Sequence, residues 1–274
     1  MRDYSIYYAK EQGRRLPCFC FDSVSSTNDV AKTLLHRGKC GEDAFAVLAA
    51  EQCSGRGRMG RTFVSPRGKG IYMTLVRKAG NVADVSPAGC FSALAVCDLL
   101  GQVFGLDCTL KWPNDVLAGG KKICGILPES VVAANGERYV LIGTGINVLT
   151  DETDLGDLQE IATSVLLETE KGSINLSFCG NTTKAIRRLG GVLALGTDEI
   201  VRRFLAGDED LAGEYSERLS TIGKEVGFSG EDGAALTGKA VGVTSDAALQ
   251  VYVNGVMHTV RWGEVTSQPE VRRN

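Results

Sequence analysis

The stretch EQCSGRGRMGRTFVSP, residues 51–66, contains the string G-x-G-x-x-G, which is also the spacing of a dinucleotide-binding turn. A dinucleotide site requires a helix that opens at the third glycine, inside a β-α-β unit. Here Gly60 is followed by Arg-Thr-Phe-Val, which favours extended chain, and Pro66 interrupts any helix passing through it. A strand is predicted before the motif but no helix after it, so the sequence argues against a Rossmann fold.

The same stretch is strongly cationic. Five basic residues and no acidic residue lie between residues 52 and 70, namely Arg56, Arg58, Arg61, Arg67 and Lys69. Glycines expose backbone N–H groups, and arginine presents a fork of donors that fits phosphate or carboxylate. A mobile cationic loop therefore suits closure over an anionic ligand. Two alternatives remain open here: a solvated basic loop, and an RGG-like contact with RNA, although interleaved aromatic residues are sparse.

The overall composition is that of an ordinary globular protein. The chain has 274 residues, 43% hydrophobic and 23% charged, enough for one large domain or for one medium and one small domain. The net charge of −3 argues against broad nucleic-acid binding. No long apolar run indicates a membrane span, and residues 1–15 lack the apolar segment of a secretory signal. We expect no nucleic acid and no membrane as partners.

Cysteine usage indicates a reducing compartment. The nine cysteines are odd in number, and no C-x-x-C pair occurs. Cys90 and Cys97 lie within an apolar run, so buried free thiols in a cytoplasmic protein are the better interpretation. The two histidines are far apart, which makes a structural zinc site an unfavourable interpretation.

Hydrophobic periodicity predicts a mixture of strands and helices. Residues 21–38 suggest a strand, a turn and a helix, with Ser26, Thr27 and Asn28 as capping residues and Gly38 at the helix end. Strands are predicted at 44–52 and 70–78, a helix at 87–104, a hairpin at 109–132, a strand entering a glycine turn at 138–148, and helices at 174–189 and 198–219.

From about residue 222 the pattern changes to short strands separated by turn residues. This predicts a small β-barrel of about fifty residues. The predicted division is therefore a main domain at 1–220, a barrel at 221–269 and a polar tail at 270–274.

Three further segments carry polar residues at turns. KWPNDV at 111–116 places Pro-Asn-Asp after a strand, KKICGIL at 121–127 opens a strand with two lysines, and GTGINV at 143–148 places an asparagine behind two glycines. Taken singly, each is explained by a hairpin turn, a solvated basic edge or a tight turn.

Together, and in this order, these motifs resemble those of the biotin protein ligases. The resemblance runs from SSTN at 25–28 through GRGRMGR at 55–61, here called the Gly-Arg loop, then KWPND, K-x-x-G-I-L and G-x-G-I-N to WGEVTS at 262–267, and so covers nearly the whole chain. It implies an α+β fold, in which a class II synthetase-like catalytic domain of the biotin–lipoate ligase type, a mixed sheet with helices, precedes a small C-terminal SH3-like β-barrel.

The resemblance also implies a reaction. Biotin, the substrate, would be activated with ATP and Mg²⁺ to biotinyl-5′-AMP and pyrophosphate, and a lysine of a biotin carboxyl carrier protein or domain would then accept the biotin. No dedicated protein site for Mg²⁺ is predicted. Such chemistry requires cations at the phosphate and exclusion of water from the adenylate.

The match to the family's motifs implies roles for particular residues. Lys122 would bridge the biotin carboxylate and the α-phosphate, Asp115 would orient the reacting groups, and Arg58 would act at the phosphate. The residues expected to bind biotin are Ser26, Thr27, Asn28, Gln52, Gly55, Arg56, Gly57, Arg58, Trp112, Lys122, Gly125, Ile126 and Leu127. The residues expected to bind the nucleotide are Arg58, Arg61, Phe63, Lys111, Asn114, Asp115 and Asn147. For Trp112, packing in the core is an alternative of similar weight.

Two positions depart from the family pattern. Phe63 stands where the family usually has tryptophan, so an indole N–H contact is lost, and Met59 replaces what is often a basic residue. The Gly-Arg loop is expected to be disordered when empty and ordered by ligand.

Other functions are compatible with parts of the sequence. The motifs begin near residue 22, so we expect no DNA-binding domain before them and no repressor activity. Lipoate or octanoate ligases and transferases share the fold, and an adenylate-binding regulator without turnover would share the site. The family includes monomers and dimers, and the sequence favours neither a monomer nor a homodimer.

Overall fold

The computed structural model describes residues 4–38, 43–82, 84–169, 181–230, 233–261, 263 and 265–267. Within these residues, a large mixed sheet has the strand order β1-β2-β3-β4-β8-β7-β6-β5. Its strands are β1 Tyr4–Glu11, β2 Arg14–Phe21, β3 Ala44–Ala49, β4 Gly70–Lys78, β5 Cys108–Lys111, β6 Asp115–Ala118, β7 Lys121–Val132 and β8 Arg138–Asn147. The β2–β3 pair is parallel and the other pairs are antiparallel, which confirms the predicted mixed sheet.

Helices cover both faces of this sheet. They are α1 Thr27–His36, α2 Ser86–Phe91, α3 Ala93–Phe104, α4 Glu152–Leu155, α5 Val165–Glu168, α6 Thr182–Leu205 and α7 Asp210–Arg218. Strand β3 shows the division, because its alternate side chains belong to two different cores. Phe45 and Val47 pack with α1 in the smaller core, whereas Ala46 and Leu48 pack in the larger core that contains α3 and α6. The α+β prediction is confirmed.

One helical stretch, Ser86–Phe104, is long and apolar enough to cross a membrane by length and composition. Most of it is buried: Leu94, Val96 and Leu100 belong to the larger core. It is interrupted at Ser92, whose hydroxyl donates to the Ala88 carbonyl at 2.6 Å. The predicted helix 87–104 is thus two consecutive core helices, α2 and α3.

Two sequence predictions of strands and turns were wrong in detail. Residues 109–132 form three strands, β5, β6 and β7, because Gly119 and Gly120 adopt positive φ and make a second turn. The glycines of GTGINV lie inside β8, not in a turn after it.

The helical boundaries after residue 174 also differ from prediction. Helix α6 runs continuously over Thr182–Leu205 and begins at Asn181, whose side chain accepts from the Lys184 N–H. Gly207, with φ of 77°, separates it from α7. The first part of the predicted helix 174–189 lies outside the described residues.

The predicted C-terminal barrel is present as a small antiparallel sheet in the order β12-β11-β10-β9-β13. Its strands are β9 Glu225–Ser229, β10 Ala235–Val243, β11 Leu249–Val253, β12 Val256–Val260 and β13 Thr266–Ser267. Leu249, Val251 and Val260 of this sheet belong to the same hydrophobic core as α3 and α6. The sheet therefore packs against the rest of the chain, while the domain limits remain a prediction.

Candidate active site

A cavity of about 510 Å³ opens where β7 and β8 meet the first turn of α1, the Gly-Arg loop and residues 155–162. This size lies in the range of small-molecule sites. Nearly all the predicted ligand-binding residues line it: Ser26, Thr27, Asn28, Gln52, Arg56, Gly57, Arg58, Arg61, Phe63, Lys111, Trp112, Asn114, Asp115, Lys122, Gly125, Ile126, Leu127 and Asn147. Gly55 does not line it, because it is buried beneath the loop, where a Cβ would lie 2.3 Å from the Phe63 carbonyl oxygen.

A close ion pair lies at the cavity wall. The Nζ atom of Lys122 is 2.7 Å from Oδ1 of Asp115, with the two side chains 40% and 29% exposed. The strands explain how they meet, since Asp115 pairs with Gly125 and Lys122 pairs with Leu117, with a register shift between Val116 and Leu117. Without this bulge, strand alternation would place Lys122 and Gly125 on opposite faces.

The Gly-Arg loop forms a short hydrogen-bonded hairpin. The Phe63 N–H donates to the Gly55 carbonyl at 2.9 Å, and the Gly57 N–H donates to the Arg61 carbonyl at 2.7 Å. At its tip, Met59 has φ of 54°, and its side chain is 74% exposed. The predicted absence of a helix between this loop and β4 is confirmed. Ordering of the loop by ligand stays a prediction.

Two arginines of this loop have different partners. Arg56 donates to Oδ1 of Asp29 in the first turn of α1 at 2.6 Å. Arg58 donates to Oδ1 of Asn114 at 3.0 Å and to the carbonyl of Gly263, beside the C-terminal sheet, at 2.6 Å. Arg56 thus links the loop to α1, and Arg58 links it to the turn between β5 and β6 and to Gly263.

The base of the loop is tied to the first turn of α1 by a glutamine. Oε1 of Gln52 accepts hydrogen bonds from the Thr27 backbone N–H at 2.9 Å and from its hydroxyl at 3.1 Å. The Gln52 amide donates to the Ser65 hydroxyl at 3.0 Å. The amide of Asn28 is also engaged within the protein, because it donates to Glu129 at 2.5 Å and accepts from Thr74 at 2.6 Å. These groups form a polar, pre-oriented end of the cavity.

Glycines form part of the cavity wall: Gly125 on β7, as predicted, and Gly143 and Gly145 on β8, whose role sequence analysis missed. Gly125 and Gly145 face each other across the two strands. A Cβ added to Gly145 would lie 2.4 Å from Cε1 of Phe63, and one added to Gly143 would lie 2.4 Å from Oδ1 of Asn28. The signal was available, since two glycines spaced by two on a strand share one face.

Apolar residues form another part of the cavity wall, and sequence analysis missed these as well. Leu155, Leu158 and Ile161 line the cavity, and Ile161 is 66% exposed. Trp112 is only 2% exposed, and its indole N–H donates to the Ala247 carbonyl at 2.8 Å. Most of the Trp112 side chain therefore packs in the hydrophobic core, although the residue borders the cavity.

Both predicted asparagines are hydrogen-bonded to the backbone. The Asn147 amide donates to the Thr163 carbonyl at 3.0 Å, and the Asn114 amide donates to the Ile126 carbonyl. Both residues are buried. Each asparagine thus braces a neighbouring chain segment at the cavity as well as bordering it.

The thiols of Cys90 and Cys124 are not suited to act as nucleophiles. Burial raises the pKa of the Cys124 thiol, next to Gly125 on β7, well above its ordinary value. Burial likewise raises the pKa of Cys90 to about 12, with the nearby Arg58 guanidinium lowering it by a smaller amount. Both thiols are therefore protonated near neutral pH. Among the described residues, no group of three His, Cys, Asp or Glu side chains is arranged to hold a metal.

Comparison with known proteins finds one matching family model. Residues 20–147 match the model of the Biotin/lipoate A/B protein ligase family. The bifunctional ligase/repressor BirA of Bacillus subtilis is 36% identical over 146 residues, which cover 53% of this chain and 44% of the relative. The biotin–[acetyl-CoA-carboxylase] ligase of Mycobacterium tuberculosis is 27% identical over 252 residues, 89% of this chain and 87% of the relative. The chain thus spans less than half the length of the Bacillus relative.

A solved structure shows the same fold. The biotin protein ligase from Aquifex aeolicus in complex with biotin and ATP has a TM-score of 0.72 and 21% identity, and the match covers 92% of this chain and 98% of that one. The predicted fold, a mixed sheet with helices followed by a small C-terminal β-structure, is confirmed.

Proposed function

We propose, from the match of residues 20–147 to the biotin/lipoate ligase family model, that this chain is a biotin protein ligase. It would activate biotin with ATP to biotinyl-5′-AMP and transfer the biotin to a specific lysine of a biotin carboxyl carrier protein. The observation that carries the proposal is the Lys122–Asp115 pair, 2.7 Å apart in a cavity that the Gly-Arg loop also borders.

In the first step, a biotin carboxylate oxygen attacks the α-phosphorus of ATP, and the bond to pyrophosphate breaks. Negative charge accumulates on the phosphate oxygens, so fixed cations aimed at them lower the barrier. The Lys122 ammonium would lie between carboxylate and phosphate and offset the charge of both. Asp115, 2.7 Å away, would hold this ammonium in place. Mg²⁺ bound to the triphosphate would supply further charge, and no protein site is assigned to it.

In the second step, the lysine amine of the carrier attacks the mixed anhydride, an amide bond forms, and AMP leaves. The adenylate must be kept from water until then. The Gly-Arg loop suits this task, because Arg56 links it to Asp29 of α1 and Arg58 links it to Asn114 and Gly263. Arg61 and Lys111, also at the cavity, would bind phosphate or ribose oxygens.

The proposal extends to partners and compartment. A biotin carboxyl carrier of a carboxylase is the proposed acceptor, in keeping with the name of the Mycobacterium relative. Seven described cysteines are free thiols, which fits the proposed cytoplasmic location. We propose ligase activity alone, although the Bacillus relative is named a ligase and repressor. We keep the proposed domain limits of 1–220 and 221–269.

Lipoate or octanoate is the alternative substrate class, because the family description covers biotin and lipoate ligases alike. Biotin is favoured by the name of the Mycobacterium relative, a biotin–[acetyl-CoA-carboxylase] ligase. The polar end of the cavity, formed by Ser26, Thr27 and Gln52, also suits a ureido ring better than an unfunctionalised acyl chain.

An exchange assay separates these substrates. The protein would be incubated with ATP, Mg²⁺ and labelled pyrophosphate, with biotin, lipoate or octanoate added in separate reactions. We expect label to enter ATP with biotin alone. Exchange with lipoate or octanoate but not with biotin would keep the adenylation chemistry and overturn the proposed substrate.

A further inference from the structure

The main chain of Lys122 is held by a segment outside the regular sheet. Strand β8 pairs with β7 from Cys124 onward and ends at Asn147, so it does not reach Lys122. Residues 161–163 take its place. The Lys122 N–H donates to the Ile161 carbonyl at 2.9 Å, and the Thr163 N–H donates to the Lys122 carbonyl at 2.9 Å. Both backbone hydrogen-bonding groups of Lys122 are therefore satisfied by this segment.

Thr163 is in turn fixed from two sides. Its carbonyl accepts a hydrogen bond from the Asn147 amide at 3.0 Å, which joins the segment to the end of β8. Its hydroxyl donates to Oε1 of Glu168 at 2.6 Å. Thr163 is 2% exposed, so these bonds are shielded from water.

Glu168 also contacts the turn that precedes Lys122. A Cβ added to Gly119, in the turn between β6 and β7, would lie 2.5 Å from Oε2 of Glu168. One carboxylate therefore touches both the turn that leads into β7 and the segment that pairs with Lys122. Thr163 and Glu168 do not line the cavity, whereas Lys122 does.

We propose that Thr163, held by Glu168 and Asn147, is a positioning residue for Lys122 in adenylate formation. This inference rests on the proposed function. Thr163 acts through its backbone N–H, which donates to the Lys122 carbonyl, and touches no reactant. By fixing the main chain of Lys122, it keeps the ammonium beside Asp115 and aligned with the reacting atoms. Transition-state charge stabilisation depends steeply on such alignment, and displacements of about 1 Å cost up to about 100-fold in rate.

The inference changes the expected role of Asn147. Its amide donates to the Thr163 carbonyl, so a variant at this position would disturb both the segment and any nucleotide contact. Thr163 gives the cleaner test, because its side chain is directed to Glu168 and the residue does not border the cavity.

The test compares two isosteric variants from the same stretch of chain. Thr163→Val removes the hydroxyl bond to Glu168. Thr169→Val is the matched control, because it also removes one threonine hydroxyl bond, that to the Val165 carbonyl at 2.7 Å, which does not lead to Lys122. Thr163→Ser keeps the hydroxyl. The full-length proteins would be compared in biotin-dependent adenylate formation, as kcat and KM for biotin, and in Tm.

We expect Thr163→Val to lower kcat roughly tenfold or more and to change KM for biotin less than about twofold, because alignment is lost while binding is kept. Thr169→Val and Thr163→Ser should stay within about threefold of the unaltered protein in both constants. Equal kcat values for Thr163→Val and Thr169→Val would overturn the inference. So would a Thr163→Val defect confined to KM or explained wholly by a smaller folded fraction.

If Thr163→Val does not fold, Glu168→Ala replaces it, since it removes the same bond from a half-buried position. A kcat loss with KM retained supports the inference, and unaltered kcat overturns it. Failure of the proposed function is distinguishable, because the unaltered protein would then form no biotin adenylate at all.

Discussion

Lys122 Nζ lies 2.7 Å from Asp115 Oδ1, in a pair formed across β6 and β7 by a register shift at Val116–Leu117. Both side chains are partly exposed, and such pairs contribute only about 0–1 kcal/mol to stability. This small stabilisation does not explain a β-bulge that places a lysine and an aspartate at one cavity. A charge placed for chemistry accounts for this arrangement better.

Arg58 is expected to retain the adenylate. Its guanidinium links the Gly-Arg loop to Asn114 and to the carbonyl of Gly263. Arg58→Gly removes both links, so the variant should release biotinyl-5′-AMP and label bystander lysines on an unrelated protein. Labelling of that protein and adenylate release from a filtered complex would be measured.

The control for this prediction is Arg67→Gly. Arg67 pairs with Glu51 at 3.1 Å, belongs to the same basic stretch and does not line the cavity. The control should retain adenylate as the unaltered protein does. Equal retention by Arg58→Gly and the control would contradict the proposed role of Arg58.

The Arg56–Asp29 pair should make loop closure sensitive to salt. Its N–O distance is 2.6 Å, both side chains are more than 40% exposed, and exposed pairs are screened by ions. Asp29→Asn should speed adenylate release roughly two- to fivefold at about 0.05 M salt. At about 0.5 M salt, most of this difference from the unaltered protein should disappear. The control is Asp98→Asn, which breaks the exposed pair of Asp98 with Arg218. The same salt dependence in both variants would contradict a role of the Arg56–Asp29 pair in loop closure.

Gly145 should not tolerate a side chain. A Cβ there would lie 2.4 Å from the Phe63 ring, so Gly145→Ala should displace Phe63 and destabilise the fold by about 1–3 kcal/mol. Biotin affinity, measured by calorimetry, should fall as well, because Phe63 borders the cavity. Adding Phe63→Ala should recover part of the stability by relieving the contact.

Gly213→Ala provides the control for the added methyl group. Gly213 lies in α7, and the space that an added Cβ would occupy is open, so alanine should be neutral or stabilising by up to about 1 kcal/mol. If Gly145→Ala bound biotin as tightly as this control, the close contact with Phe63 would be unimportant for the site.

Alkaline pH should destabilise the folded protein through its buried thiols. Burial raises the pKa of Cys18 to about 11 and those of Cys20 and Cys97 to about 12, from an ordinary value of 9.0. Because the folded pKa exceeds the unfolded one, the stability from these protonated thiols is complete below about pH 9 and is lost as pH rises towards 12. Urea unfolding should show a midpoint that falls steadily above about pH 9. A constant or rising midpoint would contradict this assignment.

The sequence predicted those parts of the site that local motifs define. The Gly-Arg loop, the KWPND turn and the K-x-x-G-I-L strand each carry a local signal, and the structure brings their residues to one cavity. It did not predict the second turn at Gly119 and Gly120, since two glycines in a strand pattern do not reveal positive φ. Gly55 was predicted to bind biotin but is buried. In a sequence, a glycine required by close packing cannot be told from one required for ligand contact.

Long-range partners were not predictable from local patterns. Nothing near Thr163 in the sequence indicates that it pairs with Lys122, and nothing near Arg58 indicates the contact with Gly263. Both contacts depend on the order of strands in the sheet and on where β8 ends. For Trp112, the sequence did not distinguish ligand contact from core packing. The structure shows core packing, because the indole hydrogen bond to Ala247 lies in the core.

The most direct test of the account is transfer of labelled biotin to a carrier-domain fragment in the presence of ATP and Mg²⁺. Lys122→Ala would be compared with Lys121→Ala, which alters the adjacent exposed lysine, whose Nζ donates to the Gln159 carbonyl at 2.8 Å. We predict ATP-dependent labelling by the unaltered protein and by Lys121→Ala, and a loss of at least about 100-fold in Lys122→Ala. Labelling that survives Lys122→Ala, or fails in the unaltered protein while lipoate is accepted, would contradict the account.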